Sequence, residues 1–217
     1  RNTKLINQGT IRAGGSGDVS LNTVSVRNEG RLQATGGRQI YAANLTNAAS
    51  GQLAWDDNAA SNFFLDGTTK LEADEEFAGA GILRVRGTLD LQGHTLTAGG
   101  VFTSDQNPTV TNGRLAGTTA YRVESGKTLT LDSTVTMAAD ITVTNSGRLL
   151  VSNGKLILDD ATVHLQAGGS WTPLDFVGDA PELAGTGRAS FEGSSGHNLV
   201  RPLTADSTLT TGAGITI

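Results

Sequence analysis

Gly9, Gly30 and Gly51 stand 21 residues apart, and each lies inside the same short phrase. The chain reads Asn7-Gln8-Gly9-Thr10-Ile11, then Asn28-Glu29-Gly30-Arg31-Leu32, then Ser50-Gly51-Gln52-Leu53. A second series follows at Ser125-Gly126-Lys127-Thr128-Leu129, Ser146-Gly147-Arg148-Leu149 and Gly168-Gly169-Ser170-Trp171. Self-similarity at a period of about 20 residues marks a solenoid, in which each repeat buries its apolar face only against its neighbours. Such a stack offers long lateral surfaces rather than one central cleft.

The residues between the glycines are strand formers. Val19-Ser20-Leu21, Val24-Ser25-Val26, Leu32-Gln33-Ala34, Leu89-Asp90-Leu91, Leu129-Thr130-Leu131, Ile141-Thr142-Val143 and Val163-His164-Leu165 alternate apolar with polar. Period two puts the apolar set on one face of a strand. Gly, Asn, Asp and Ser punctuate these short runs, as turns require. Within 18–34 three such strands are separated by tight turns, which fits one coil of a three-faced helix. Ile11, Leu32 and Leu53 share the 21-residue spacing, as do Ala13, Ala34 and Trp55. A sandwich needs no such register; a right-handed parallel β-helix does. The expected fold is therefore all-β, a single solenoid over 1–217 of about ten coils spaced ~4.8 Å apart. Two stretches break the rhythm, 55–77 and 173–202, and are expected as possible loop or hairpin excursions.

Composition agrees with a narrow core. Only 37% of residues are hydrophobic and 5% aromatic, while 29 Gly against 4 Pro argues against a disordered Pro/Gly tract. A net charge of −5 argues against nucleic acid or an anionic membrane as partner. The absence of Cys excludes disulfides, thiolate metal sites and cysteine nucleophiles. No stretch is apolar enough to span a bilayer as a helix. The chain begins at Arg1 and stops within Gly214-Ile215-Thr216-Ile217, in what reads as another strand, so a fragment of a longer protein is expected.

The phrases around Gly9 and Gly30, extended by 11–15 and 32–37, together with Ala43-Asn44-Leu45-Thr46-Asn47, resemble filamentous haemagglutinin-type repeats. Further on, Phe77-Ala78-Gly79-Ala80-Gly81-Ile82-Leu83 and Gly87-Thr88-Leu89-Asp90-Leu91-Gln92-Gly93-His94-Thr95-Leu96 are similar to repeats of autotransporter passenger domains. The resemblance covers about two thirds of the chain. It implies export through an outer-membrane secretion partner, an extracellular location at a Gram-negative cell surface, and adhesion. It supplies no catalytic residue.

Candidate chemistry is sparse, and no cofactor or metal is expected. Gly14-Gly15-Ser16-Gly17-Asp18-Val19 approaches a calcium-binding nonapeptide, but its Asp comes one position early and the motif does not recur. Asp56-Asp57 and Asp159-Asp160 could serve a polysaccharide hydrolase or lyase; adjacent strand residues point to opposite faces, and both pairs read as turns. His94, His164 and His197 have no partner ligand at metal spacing, and His164 is expected to face outward. Ser195 near His197 lacks the context of a triad. Thr-x-Thr pairs at 95/97, 109/111, 128/130, 134/136 and 142/144 fall at irregular intervals, against a flat ice-binding array. Asn44-Leu45-Thr46 is a lone glycosylation sequon. Trp55, Asp56, Asp57, Phe63 and Phe64 are the candidate ligand-binding residues, since aromatics beside carboxylates suit sugars or apolar patches. The opposing reading puts Trp55 in the core, in register with Ala13 and Ala34. The expected function is attachment to host cells, other bacteria or matrix glycans, with a β-helical polysaccharide-active enzyme as the alternative.

Overall fold

A computed structural model describes residues 3–118 and 121–217. Among these described residues it is all-β: 62% strand, no helix, and every ladder between strands parallel. The strands stack coil on coil into a β-solenoid with three faces, close in length to the ten turns expected.

Each face is a column of side chains in register. On the first, Leu5, Val26, Leu45, Thr69, Leu89, Val110, Leu131, Val151, Phe176 and Pro202 succeed one another. On the second, the column runs Val19, Ile40, Phe63, Leu83, Phe102, Tyr121, Ile141, Val163 and Ala189. The third begins with Ile11, Leu32 and Leu53, and beside them Ala13, Ala34 and Trp55, as the 21-residue spacing requires. Leu32 and Leu53 are buried and Ile11 is half-buried at the first coil. Fully burying one such side chain contributes ~1.5–3 kcal/mol, so a single coil is marginal and neighbours supply the cooperativity.

The repeated glycine has a steric cause. A Cβ on Gly30 would lie 2.1 Å from the carbonyl oxygen of Gly9, one coil below, so the corner admits no side chain. Gly126 has open space around it but a φ of 70°, a left-handed turn that favours glycine. Gly147, one repeat on, is held by crowding instead, since its Cβ would lie 2.8 Å from the Thr144 carbonyl oxygen.

Polar stacking reinforces the first corner. Asn7, Asn28 and Asn47 are buried one above another; Asn7 Nδ2 donates to Asn28 Oδ1 and Asn28 Nδ2 to Asn47 Oδ1, each at 2.7 Å. Further donation from Asn7 and Asn28 to the Arg31 and Gln52 carbonyls, both at 3.1 Å, ties the ladder to the next strands.

The stretches 55–77 and 173–202 are not excursions. Asn62–Leu71 pairs in register with Gln39–Asn47, and Thr172–Val177, Glu182–Gly193 and Asn198–Pro202 all join ladders. Irregular backbone is confined to corners such as 56–61 and 178–181. The aromatics that break the sequence rhythm fill the core: Trp55, Phe63 and Phe77 form one cluster, with ring centroids 4.5 to 6.3 Å apart.

Candidate functional site

The structure separates the five residues expected to bind ligand. Trp55 and Phe63 are core, 5% and 0% exposed, so neither is available for stacking on a ligand. Asp56 is a corner cap that accepts from Ser61 Oγ at 2.6 Å and from the Gly36 N–H at 2.7 Å. Those two bonds, Ser61 first, hold its carboxyl below the usual range. Asp57 is exposed on the same corner. Phe64 points out of the barrel, opposite to Phe63, but is covered: Tyr41 stacks on it at 4.5 Å and the Arg86 guanidinium sits 4.2 Å above its ring. Arg86 is in turn held by Asp105 at 3.0 Å. This outward aromatic cluster is closed by its own neighbours.

The remaining motifs are structural as well. Asp159 pairs with Arg114, and Asp160, at φ 56°, accepts from Thr186 Oγ1 at 2.8 Å. The Asp18 carboxylate accepts the Gln39 N–H at 3.0 Å, tying its turn to the next coil. His164 faces outward as expected, yet it is half-buried, with Nδ1 2.5 Å from Glu192 and Nε2 3.7 Å from Asp140. His197 packs edge-on against Trp171, and Ser195 accepts from the Gly169 N–H at 3.1 Å rather than joining a triad. Among the described residues no three of His, Cys, Asp or Glu converge.

The short charge run Asp74-Glu75-Glu76 reads from the sequence as a solvated turn; the structure instead buries Glu75 in a strand, where its alternation with Phe77 places it inward. The third face is split here: Thr10–Ala13, Arg31–Ala34 and Gln52–Trp55 form a separate sheet, and Glu75–Phe77 joins the other. The Glu75 side chain bridges the split, accepting the Leu53 N–H at 2.9 Å and the last amide of the asparagine ladder, Asn47 Nδ2. Burial pushes its carboxyl up to about 7, against the pull of the Leu53 N–H. A cleft of about 450 Å³ opens over this split, lined by Arg31, Gln52, Trp55, Asp74, Glu75 and Glu76.

The first face carries a second hollow, of about 260 Å³, over its first four coils. Outward positions Lys4, Ser25, Asn44 and Thr68 form one column, and Arg27, Thr46 and Lys70 the column beside it. Small side chains at Ser25 and Thr46 make the floor low, and the long cations wall it. Arg27 is fixed by Glu72 at 2.7 Å and by Glu29 at 2.9 Å. Lys4 pulls on Glu29 through space, but neither Lys4 nor Lys70 has a carboxylate within ion-pair distance. The side chains of Ser25, Asn44, Thr46 and Thr68 make no hydrogen bond within the described chain. Above the hollow the first column continues as Thr68, Thr88, Thr109 and Thr130, stacked in register. The irregular sequence intervals of the threonines therefore conceal a real ladder. It is one column wide, because Lys70, Asp90 and Asp132 flank it, so no flat threonine array forms.

These features define a parallel β-solenoid whose uncommitted polar chemistry lies on a lateral face. No described protein family, characterised protein or solved structure matches the chain.

Proposed function

We propose that the chain is a structural and interaction segment of a secreted bacterial surface adhesin, an exoprotein or autotransporter passenger. In this role it extends a binding surface from the cell towards host cells, other bacteria or matrix glycans. One observation carries the reading: the inward columns of the first two faces stay in register through the stack and that of the third is interrupted between Gln52–Trp55 and Glu75–Phe77, so outward side chains form long lateral strips, with an uncommitted polar strip on the first face. The repeat phrases around Gly9 and Gly30 supply the adhesin, the export route and its outer-membrane partner. Beads coated with the folded chain should attach to epithelial cells, bacteria or immobilised matrix glycans above the level of beads coated with a heat-unfolded sample. Equal attachment by both would defeat the reading.

The split over Glu75 favours one competing activity. A carboxyl with a raised pKa beside Asp74 and Glu76 in a cleft has the composition of a polysaccharide-cleaving site. Against it, both Glu75 oxygens already accept internal hydrogen bonds. Incubation with plant and bacterial polysaccharides, followed by assay for reducing or unsaturated ends, separates the two. Turnover abolished by Glu75→Gln would establish the enzyme.

A further inference from the structure

We infer that the third face docks against the same face of a second copy of this chain, the two rods antiparallel about a two-fold axis lying along Gln52–Trp55. The inference does not depend on the adhesin reading.

Outward side chains on this face form two columns. Thr10, Arg31 and Gln52 stand in one, and Arg12, Gln33 and Ala54 in the other. Across the split, Trp55 packs on Phe77 with ring centroids 4.5 Å apart, and the Leu53 N–H meets Glu75. Those two contacts set Asp74 beside Gln52 and Glu76 beside Ala54. Thr95 and Thr97 follow, through the Thr95 N–H on Asp74 and the pairing of Thr97 with Glu76. One column therefore runs Thr10, Arg31, Gln52, Asp74, Thr95, and its neighbour Arg12, Gln33, Ala54, Glu76, Thr97.

Inverted about its middle member, each column is complementary to itself. Gln52 then meets Gln52 and Ala54 meets Ala54 on the axis, while Arg31 meets Asp74 and Gln33 meets Glu76. The outer rows bring Thr10 to Thr95 and Arg12 to Thr97. The side chains of Arg31, Gln33, Gln52 and Glu76 make no hydrogen bond or ion pair among the described residues, so docking breaks none. Arg31 and Glu76 are exposed, and the Asp74 side chain is 75% exposed despite His94 at 3.6 Å. Glu29, two residues before Arg31, is already held by Arg27 and Gln8. The cleft over the split, rimmed by Asp74 and Glu76, receives the partner's Arg31 guanidinium. The two cations and two carboxylates of the patch cancel, so the net charge of −5 does not oppose contact locally. Such an isologous contact closes as a dimer and does not propagate. Five coils ~4.8 Å apart, with four-residue strands, give a footprint of roughly 24 by 13 Å, which belongs to a weak, reversible interface.

The test is sedimentation velocity of the 217-residue chain from about 10 μM to about 1 mM, at low and high salt. A reversible dimer at the upper concentrations, weakened by salt, is expected. Arg31→Glu, and separately Asp74→Lys combined with Glu76→Lys, should each weaken it at least about tenfold. An equimolar mixture of the two variants should restore the dimer, because each supplies the charge the other lacks; a folding defect could not produce that rescue. The chain has no cysteine, so Ala54→Cys places a single thiol on the axis. A bismaleimide spanning ~10 Å, the spacing of packed sheets, should link it to its partner. Thr136→Cys, on the same face two strands beyond the overlap, should not be linked. A monomer at every concentration, a dimer indifferent to both charge variants, a mixture that stays monomeric, or equal linking at the two thiols overturns the inference. Bead attachment is measured separately, so a monomeric chain that still attaches to cells overturns this inference and leaves the adhesin reading standing.

Discussion

Glu75 occupies the inward position below Leu96, in the column that continues through Leu115, Met137 and Leu158, where a leucine would be the apolar choice. Its raised pKa has a definite sign in stability. Below pH ~4.5 the carboxyl is protonated in both folded and unfolded chains and contributes no pH dependence. Between ~4.5 and about 7 the unfolded chain has released the proton while the folded chain retains it, so stability falls as pH rises. Above about 7 the loss is complete, on the order of 3 kcal/mol. Urea melts at pH 5 and pH 8 should show the parent losing stability relative to Glu75→Gln over that interval. Parallel profiles would place the carboxyl in solvent. Thr69 makes the complementary case. It stands between Leu45 and Leu89 in the first inward column, is fully buried, and its hydroxyl has no partner. Thr69→Val keeps the shape and removes the stranded hydroxyl, so it should stabilise by about 1–2 kcal/mol in urea. A destabilised variant would show that the hydroxyl is satisfied.

At the scale of the strand, inside and outside are set by alternation. Leu32 is buried between Ile11 and Leu53, while Arg31 beside it is exposed. Leu32→Ala should cost ~2–5 kcal/mol by leaving a cavity between coils. Arg31→Ala should stay within about 0.5 kcal/mol. Equal urea midpoints would reverse the assignment. Asn28→Ala removes the middle rung of the asparagine ladder, leaves Asn7 Nδ2 only its Arg31 carbonyl partner, strands the Asn47 side-chain carbonyl, and should cost about 1–3 kcal/mol; no loss would mean that the ladder is dispensable. These elements differ in how far the sequence reveals them. The Leu32 column was legible because its spacing stays at 21 residues and its strands alternate cleanly. The Asn7 and Asn28 rungs lie in the same repeated phrase, but Asn47 sits four residues before Gly51 rather than two, which hid the third rung. Trp55 and Phe63 looked like ligand anchors because aromatics are rare here. Only packing shows that they fill a wider part of the core. The outward polar column of the first face was illegible for a different reason. Lys4, Ser25, Asn44, Thr68, Thr88, Thr109 and Thr130 follow one another at intervals varying between 19 and 24 residues, and corners of unequal length absorb the difference.

For the whole molecule, the decisive property is that the backbone ladders and the core packing run between neighbouring coils, with only long side-chain pairs such as Arg27–Glu72 and Arg114–Asp159 reaching across two. Stability is then close to a sum of coil terms and nearest-neighbour interfaces, and different parts of the rod can open separately. The interfaces are unequal. From Leu129 to Leu165 the inward positions are fully buried on all three faces, including Leu131, Met137, Ile141, Val151 and Leu158. In the last coils Phe191 and Leu203 are 53% and 41% exposed, and no inward side chain of 198–217 is fully buried. The third face adds an interruption between Gln52–Trp55 and Glu75–Phe77, where one carboxyl replaces part of a backbone ladder. Native-state hydrogen exchange should therefore be slowest across Thr128–Ala138 and Lys155–Ala167, intermediate beside the split, and fastest across Asn198–Thr216. Leu131→Ala should lower protection in the coils on both sides of it, because each has lost an interface. Val200→Ala should lower protection only locally. One uniform opening free energy along the chain, shifted equally by both variants, would show that the solenoid unfolds as a single unit.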